Sequence, residues 1–313
     1  MKKVFSVLIF LVLAGGLVLA EASLQEDAEE SLEESEPLEL PRVLGQAQTQ
    51  DELDAYNAAT QATLTTEKIQ LAVDFLGQFP DSGLTPYMHK FLAFAHMDGN
   101  EFTQFIEHAL KALSELPQDP DILPHLARVR SEQGQISEAL KLAKSGQLLW
   151  ETAEKPAGMP LDIWTVKKYQ SLADLSYAYG LALLGRSAKL VGDKSKVVKR
   201  AIEQLEKAIK ADPEFGRAYL RLGSAYAMLN DAGNTLQSFA RAANSNSDIA
   251  GIAEGRLKKA YELVNKSSDG LMELIQKERD YIQQRMSQRQ AELEGLRQQQ
   301  EEQPELLPPG LPE

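Results

Sequence analysis

Small residues recur in this chain at a step of 34 positions, which constrains its fold more than any compositional feature. The pairs Ala58-Ala59, Leu92-Ala93 and Leu126-Ala127 follow one another at that interval. A second series repeats it at Leu71, Phe105 and Ala139, and a third at Gln78, Ala112 and Gly146. Pro86 and Pro120 share the step, as do Ala201 with Thr235 and Ala208 with Ala242. A unit of this length cannot bury a hydrophobic face alone and must stack on its neighbours. Within the units, residues such as Tyr219, Leu222 and Tyr226 recur at helical spacing, so the stacked units are helices and the fold is all-α.

The clearest unit, residues 216–249, carries Ala218-Tyr219, Leu222-Gly223, Tyr226, Phe239 and Ala242, and the unit before it closes with Asp212-Pro213. In these positions it resembles the tetratricopeptide repeat (TPR), a pair of antiparallel helices. The choices have physical reasons. Gly223 and the equivalent alanines belong where two helices cross closely. Pro213 cannot donate to a helix ladder, so it ends one helix and suits the first turn of the next. The resemblance implies a TPR-like alpha-alpha superhelix, a solenoid, with an extended C-terminal helix. The order of elements further resembles exported bacterial TPR proteins, through the turn Phe79-Pro80-Asp81-Ser82, the insertion with Lys155, Pro156, Gly158 and Trp164, and the late Asp269-Gly270-Leu271. That likeness spans most of residues 50–285. It implies a fold and an export route but no activity.

The rhythm breaks twice. Ala127 to Gly180 is longer than one step, with the excess in residues 153–172. Gly180 to Gly223 is longer again, with the excess near residues 186–199. Five helix pairs are therefore expected, at about 52–85, 86–119, 120–153, 173–215 and 216–249, with a capping helix at about 250–265. Over residues 268–298, Met272, Ile275, Arg279, Ile282, Met286, Arg289, Leu293 and Leu296 alternate steps of three and four. That spacing describes a heptad seam, open either to self-pairing or to folding back on the last repeat.

The ends differ in kind. Lys2-Lys3, an apolar run over residues 4–19 and small residues at Ala20 and Ala22 read as a secretory signal peptide cut at one or the other. The alternative is an uncleaved inner-membrane anchor formed by residues 4–19, the sole membrane association expected. Residues 21–41 carry nine acids and no base. The organisation expected is a signal peptide at 1–20, an acidic disordered spacer at 21–48, a helical-repeat domain at 49–265, a long helix at 266–298 and a Pro-rich disordered tail at 299–313. The expected address is the periplasm or the exterior. A net charge of -13 with no basic stripe argues against nucleic acid as a partner.

The sequence advertises no catalytic chemistry. It has no cysteine, which excludes disulfides, a thiol nucleophile and thiolate metal sites. His89, His96, His108 and His125 lack a second ligand at i+3 or i+4, so no metal and no cofactor are expected. Gly192-Asp193-Lys194-Ser195 lacks the glycine spacing of a phosphate loop, and Asp193 sets a negative charge where phosphate would lie. Arg217 and Arg221, at i and i+4, share one helix face. They resemble half of the carboxylate clamp of some TPR proteins, although Ala178, Pro124 and Arg128 stand where the clamp's other residues belong. Tyr87, Phe91, Phe94, Tyr177, Leu181, Leu220 and Met228 complete the expected ligand-facing set. The expected function is a non-enzymatic scaffold of the bacterial cell envelope, binding a protein partner's peptide or helix on the concave face. The alternative is a structural protein that forms homo-oligomers through its C-terminal helix.

Overall fold

The computed structural model describes residues 43–302. The expected signal or anchor segment, most of the acidic spacer and most of the Pro-rich tail lie outside the described residues. Within them, twelve helices follow one another without a strand. Five antiparallel pairs come first: α1 (Gln50–Gln61) with α2 (Thr65–Gln78), α3 (Thr85–Asp98) with α4 (Phe102–Glu115), α5 (Ile122–Glu132) with α6 (Ile136–Thr152), α7 (Leu161–Ala188) with α8 (Ser195–Ala211), and α9 (Gly216–Met228) with α10 (Ala232–Ala243). Then come α11 (Ala250–Asn265), packed on α10, and α12 (Leu271–Glu302), which returns across α10 and α7.

The 34-residue step is a packing register. Ala59, Ala93 and Ala127 are fully buried, as are Ala112, Ala139, Ala201, Ala208 and Ala242. Close approach explains why these positions stay small. A Cβ on Gly223 would meet the Phe239 ring, and one on Gly146 or Gly180 would meet Leu175 or Leu205. The register weakens in the first pair, where Leu71 is only partly buried, Gln78 is exposed and Ala72 takes the sealed position.

The turns inside the pairs repeat as well. Asn100, Gly134 and Asn230 all adopt positive φ (60°, 75° and 59°). The next amide in each case donates back to a helix carbonyl, from Glu101 to His96, Gln135 to Arg130 and Asp231 to Tyr226. This left-handed closure satisfies the carbonyls that a helix end leaves open.

The two excess stretches are accommodated differently. The first is the loop 153–160 and the opening of α7, where Trp164 packs against Trp150 and Trp150 Nε1 donates to the Pro120 carbonyl (2.9 Å). The second lengthens α7 and α8 and leaves a turn in which Asp193 accepts from the Ser195 amide (2.8 Å). Residues 43–48, at the end of the expected spacer, lie against the α2–α3 turn: Gly45 N donates to Gly83 O, and Glu52 accepts from Gln48 N and Ser82 Oγ.

Part of the heptad seam of α12 faces its own chain, while Met272 at its start is 70% exposed. Ile282 is buried, Leu274 and Ile275 pack on the core of α7 to α11, and Glu278 pairs with Arg241. Farther along, the Arg289 guanidinium stacks 3.8 Å over the Tyr169 ring. At the far end Arg297 pairs with Asp162 (2.7 Å), and Gln300 Oε1 accepts from Leu161 N, capping the start of α7. No described helix is long and apolar enough to cross a membrane.

Candidate functional site

The first helices of consecutive pairs share one groove. Lys90 and Phe94 from α3, Asp121 and His125 at α5, Lys167 and Asp174 from α7, and Asp212 and Phe215 before α9 line a single cavity of about 680 Å³. The 34-residue register brings them there: Tyr87, Phe91 and Phe94 occupy the same repeat positions as Asp121, His125 and Arg128.

Charges in the groove are largely matched. Lys90 reaches Asp119 and Asp121 at 2.7 Å each, and Lys167 holds the other oxygen of Asp121 at 2.7 Å. Arg128 sits 3.8 Å from both Glu132 and Asp174. Arg217 bonds Glu132 at 3.2 Å and Asp248 at 2.8 Å.

Three groups are poorly compensated. Burial pushes the Asp174 carboxyl up to about 6, against the opposing pull of Arg128. Burial likewise raises Asp212 above the usual carboxylate range, although its Oδ1 accepts from the Glu214 amide (3.0 Å). Buried His125 Nδ1 has no hydrogen-bond partner among the described residues, and its pKa is lowered to about 4 by burial and then by Arg128. Desolvated carboxylates beside an unmatched imidazole and the apolar faces of Phe94 and Phe215 suit a cationic or hydrogen-bonding side chain with an apolar stem.

The expected site residues are distributed unevenly. Phe94 lines the groove and meets His125 edge-on, with ring centroids 5.5 Å apart. Tyr87 is half-buried with its hydroxyl over Gly45, and Phe91 packs into the core of the first pair. Tyr177 is only 2% exposed, with its ring against Phe215. Its hydroxyl faces Arg221, which opposes the upward shift that burial gives the phenol. Leu220 is buried, Leu181 packs partly against the same core, and Met228 is 46% exposed at the end of α9. Arg217 is held between two carboxylates. The groove residues Lys90, Asp121, His125, Lys167 and Asp174 were not among those expected. Sliding the 34-residue register from Tyr87 and Phe91 onto Asp121 and His125 is the signal that would have found two of them.

A second polar cluster lies between α3 and α4. His89 Nδ1 and His108 Nδ1 are 3.0 Å apart, His96 stacks on His108, and His96 Nδ1 meets Glu101 at 2.6 Å. Among the described residues no group of three His, Cys, Asp or Glu side chains is arranged to hold a metal.

The stacked antiparallel pairs, their 34-residue register of small buried residues and the groove along the first helices define a TPR-like helical-repeat protein. No protein-family model matches the chain, and no curated protein matches its sequence. Among solved structures, the crystal structure of MamA protein is similar at 16% identity with a TM-score of 0.40, over 74% of this chain and all of that one.

Proposed function

We propose that the protein is a non-enzymatic scaffold that holds an extended segment of a partner protein along the groove of α3, α5, α7 and α9. The observation that carries this reading is the cavity itself, which runs across α3, α5 and α7 to the segment before α9 and is lined by Asp174, Asp212 and His125. Its polarity favours a segment presenting a lysine or arginine between apolar residues. Arg217 is already matched by Glu132 and Asp248, so gripping a partner's carboxylate would require displacing them.

The test is crosslinking and affinity capture from envelope extract, comparing wild type with Asp174→Lys and with Arg217→Glu/Arg221→Glu. Loss of one dominant partner in Asp174→Lys, with retention in the arginine variant, supports the groove. Identical partner lists for all three proteins overturn it. The reading includes export to the periplasm or the exterior, as expected of the signal-like start. The N-terminal sequence of the protein recovered from fractionated cells tests that part, because a mature end following Ala20 or Ala22 is expected. Self-assembly through α12 is disfavoured by burial of Glu278 and Ile282 against the same chain.

A further inference from the structure

A second cavity, of about 500 Å³, lies where α12 bridges α6, α7 and α8. One of its walls is fixed. Arg289 stacks on Tyr169, donates to the Lys210 carbonyl (3.0 Å) and pairs with Glu292 (3.4 Å), while the Tyr169 hydroxyl donates to the same Glu292 carboxylate (2.7 Å). Glu292 is thereby satisfied inside the wall. Leu172 and the Tyr169 ring supply apolar surface.

The remaining charges are unbalanced. The side chains of Lys207, Lys210 and Arg285 line the cavity with no ion pair or side-chain hydrogen bond among the described residues, and Glu151 is the single carboxylate of the lining besides Glu292. Lys207 and Lys210 are exposed and Arg285 half-buried, so the cavity mouth carries a local excess of positive charge in a chain whose net charge is -13. Like charges gathered without a counterion repel one another, and a bound anion relieves that repulsion.

We propose that this cleft binds a small amphipathic organic anion, with its acidic head between Lys207, Lys210 and Arg285 and its apolar body against Leu172 and Tyr169. A cavity of this size accommodates a single chain or ring system of modest length. The site is built from α6 to α8 and α12, and so is separate from the groove of the first helices. Occupying it would also bring α12 into contact with the ligand, because Arg285 and Arg289 both belong to that helix.

Sodium decanoate titrated into the full-length protein by calorimetry tests the proposal, with decanol as the neutral counterpart and vesicles of anionic phospholipid as a separate arm. Saturable decanoate binding, at least tenfold tighter than decanol and at least tenfold weaker in Lys207→Glu/Arg285→Glu, is expected. Both substituted residues retain solvent exposure, and an unchanged circular dichroism spectrum verifies folding of the variant. Absence of saturable decanoate binding, equal affinity for decanol, or unchanged affinity in the variant overturns the proposal. Retention on vesicles without binding of free decanoate overturns the small-molecule occupant in favour of a membrane surface.

Discussion

Arg241 Nε lies 2.7 Å from Glu278 Oε2, and Glu278 keeps only 2% of its side chain exposed. The guanidinium is also covered by the Tyr281 ring, whose centroid is 3.9 Å away. Glu278→Ala would leave Arg241 desolvated and unpaired, so a loss of about 3 kcal/mol in urea unfolding is expected, with α12 becoming more susceptible to proteolysis. The double replacement Arg241→Met/Glu278→Leu is expected to recover most of that loss, because apolar packing of similar volume roughly matches a buried ion pair.

Gly134 adopts φ 75° with no atom within 4 Å of the position a Cβ would take. Gly134→Ala is therefore expected to lower stability by about 1 kcal/mol through backbone conformation alone. Asn100→Gly and Asn230→Gly, at the equivalent turns, are expected to be neutral or slightly stabilising in the same chemical unfolding assay.

Gly223 tests the opposite constraint, since its φ is ordinary and the limit is space. Gly223→Ala places a methyl against the Phe239 ring, and a loss of about 2 kcal/mol is expected from the forced shift. Adding Phe239→Leu to Gly223→Ala should restore part of it, a non-additivity measurable by a double-mutant cycle in thermal unfolding.

Acid sensitivity follows from the buried imidazoles. Burial, then the neighbouring His89, lower His108 to about 4, and burial followed by Arg128 lowers His125 to about 4. Both titrate near 6.5 in an unfolded chain, so the unfolded state binds protons first. Their contribution is fully present above pH 6.5 and is lost as pH falls from there toward 4. Asp174 acts in the opposite sense: raised to about 6, it protonates first in the folded state and its penalty is relieved below that pH. Asp212, also raised by burial, acts with Asp174, while His89, lowered by burial, acts with the other two histidines, so a net loss of stability between about pH 7.5 and 4.5 is expected. Thermal unfolding of His108→Asn/His125→Asn across that range should show a smaller slope than wild type.

The repeat architecture was legible because its determinants are local and periodic. Helix crossings demand small residues, and the buried alanines from Ala59 to Ala242 recur in step wherever the pairs stack regularly. The groove was less legible. Its polar residues are brought together from separate repeats, as with Lys90 and Asp121 or Arg128 and Asp174, and their charges say nothing about pairing until the helices are stacked. Tyr177 illustrates the converse. Its helical spacing fits either a contact face or a core, and only the packing of Phe215 against it resolves the choice. The seam of α12 was visible as a heptad pattern, but the pattern does not state whether the complementary surface belongs to another copy or to the same chain.

The contact between Arg297 and Asp162 joins residues 135 positions apart. In an open solenoid each unit touches only its neighbours, so the ends fray independently and stability is a sum of adjacent terms. Here the closing turns of α12 are tied to the start of α7, drawing the C-terminal half of the described residues into a ring of contacts. That half should open as one cooperative block in hydrogen exchange, whereas α1 to α4 retain the stepwise fraying of an ordinary repeat array. The closure also sets an order of events, since α12 can seat only after α7, α8 and α10 have formed the surface that receives it.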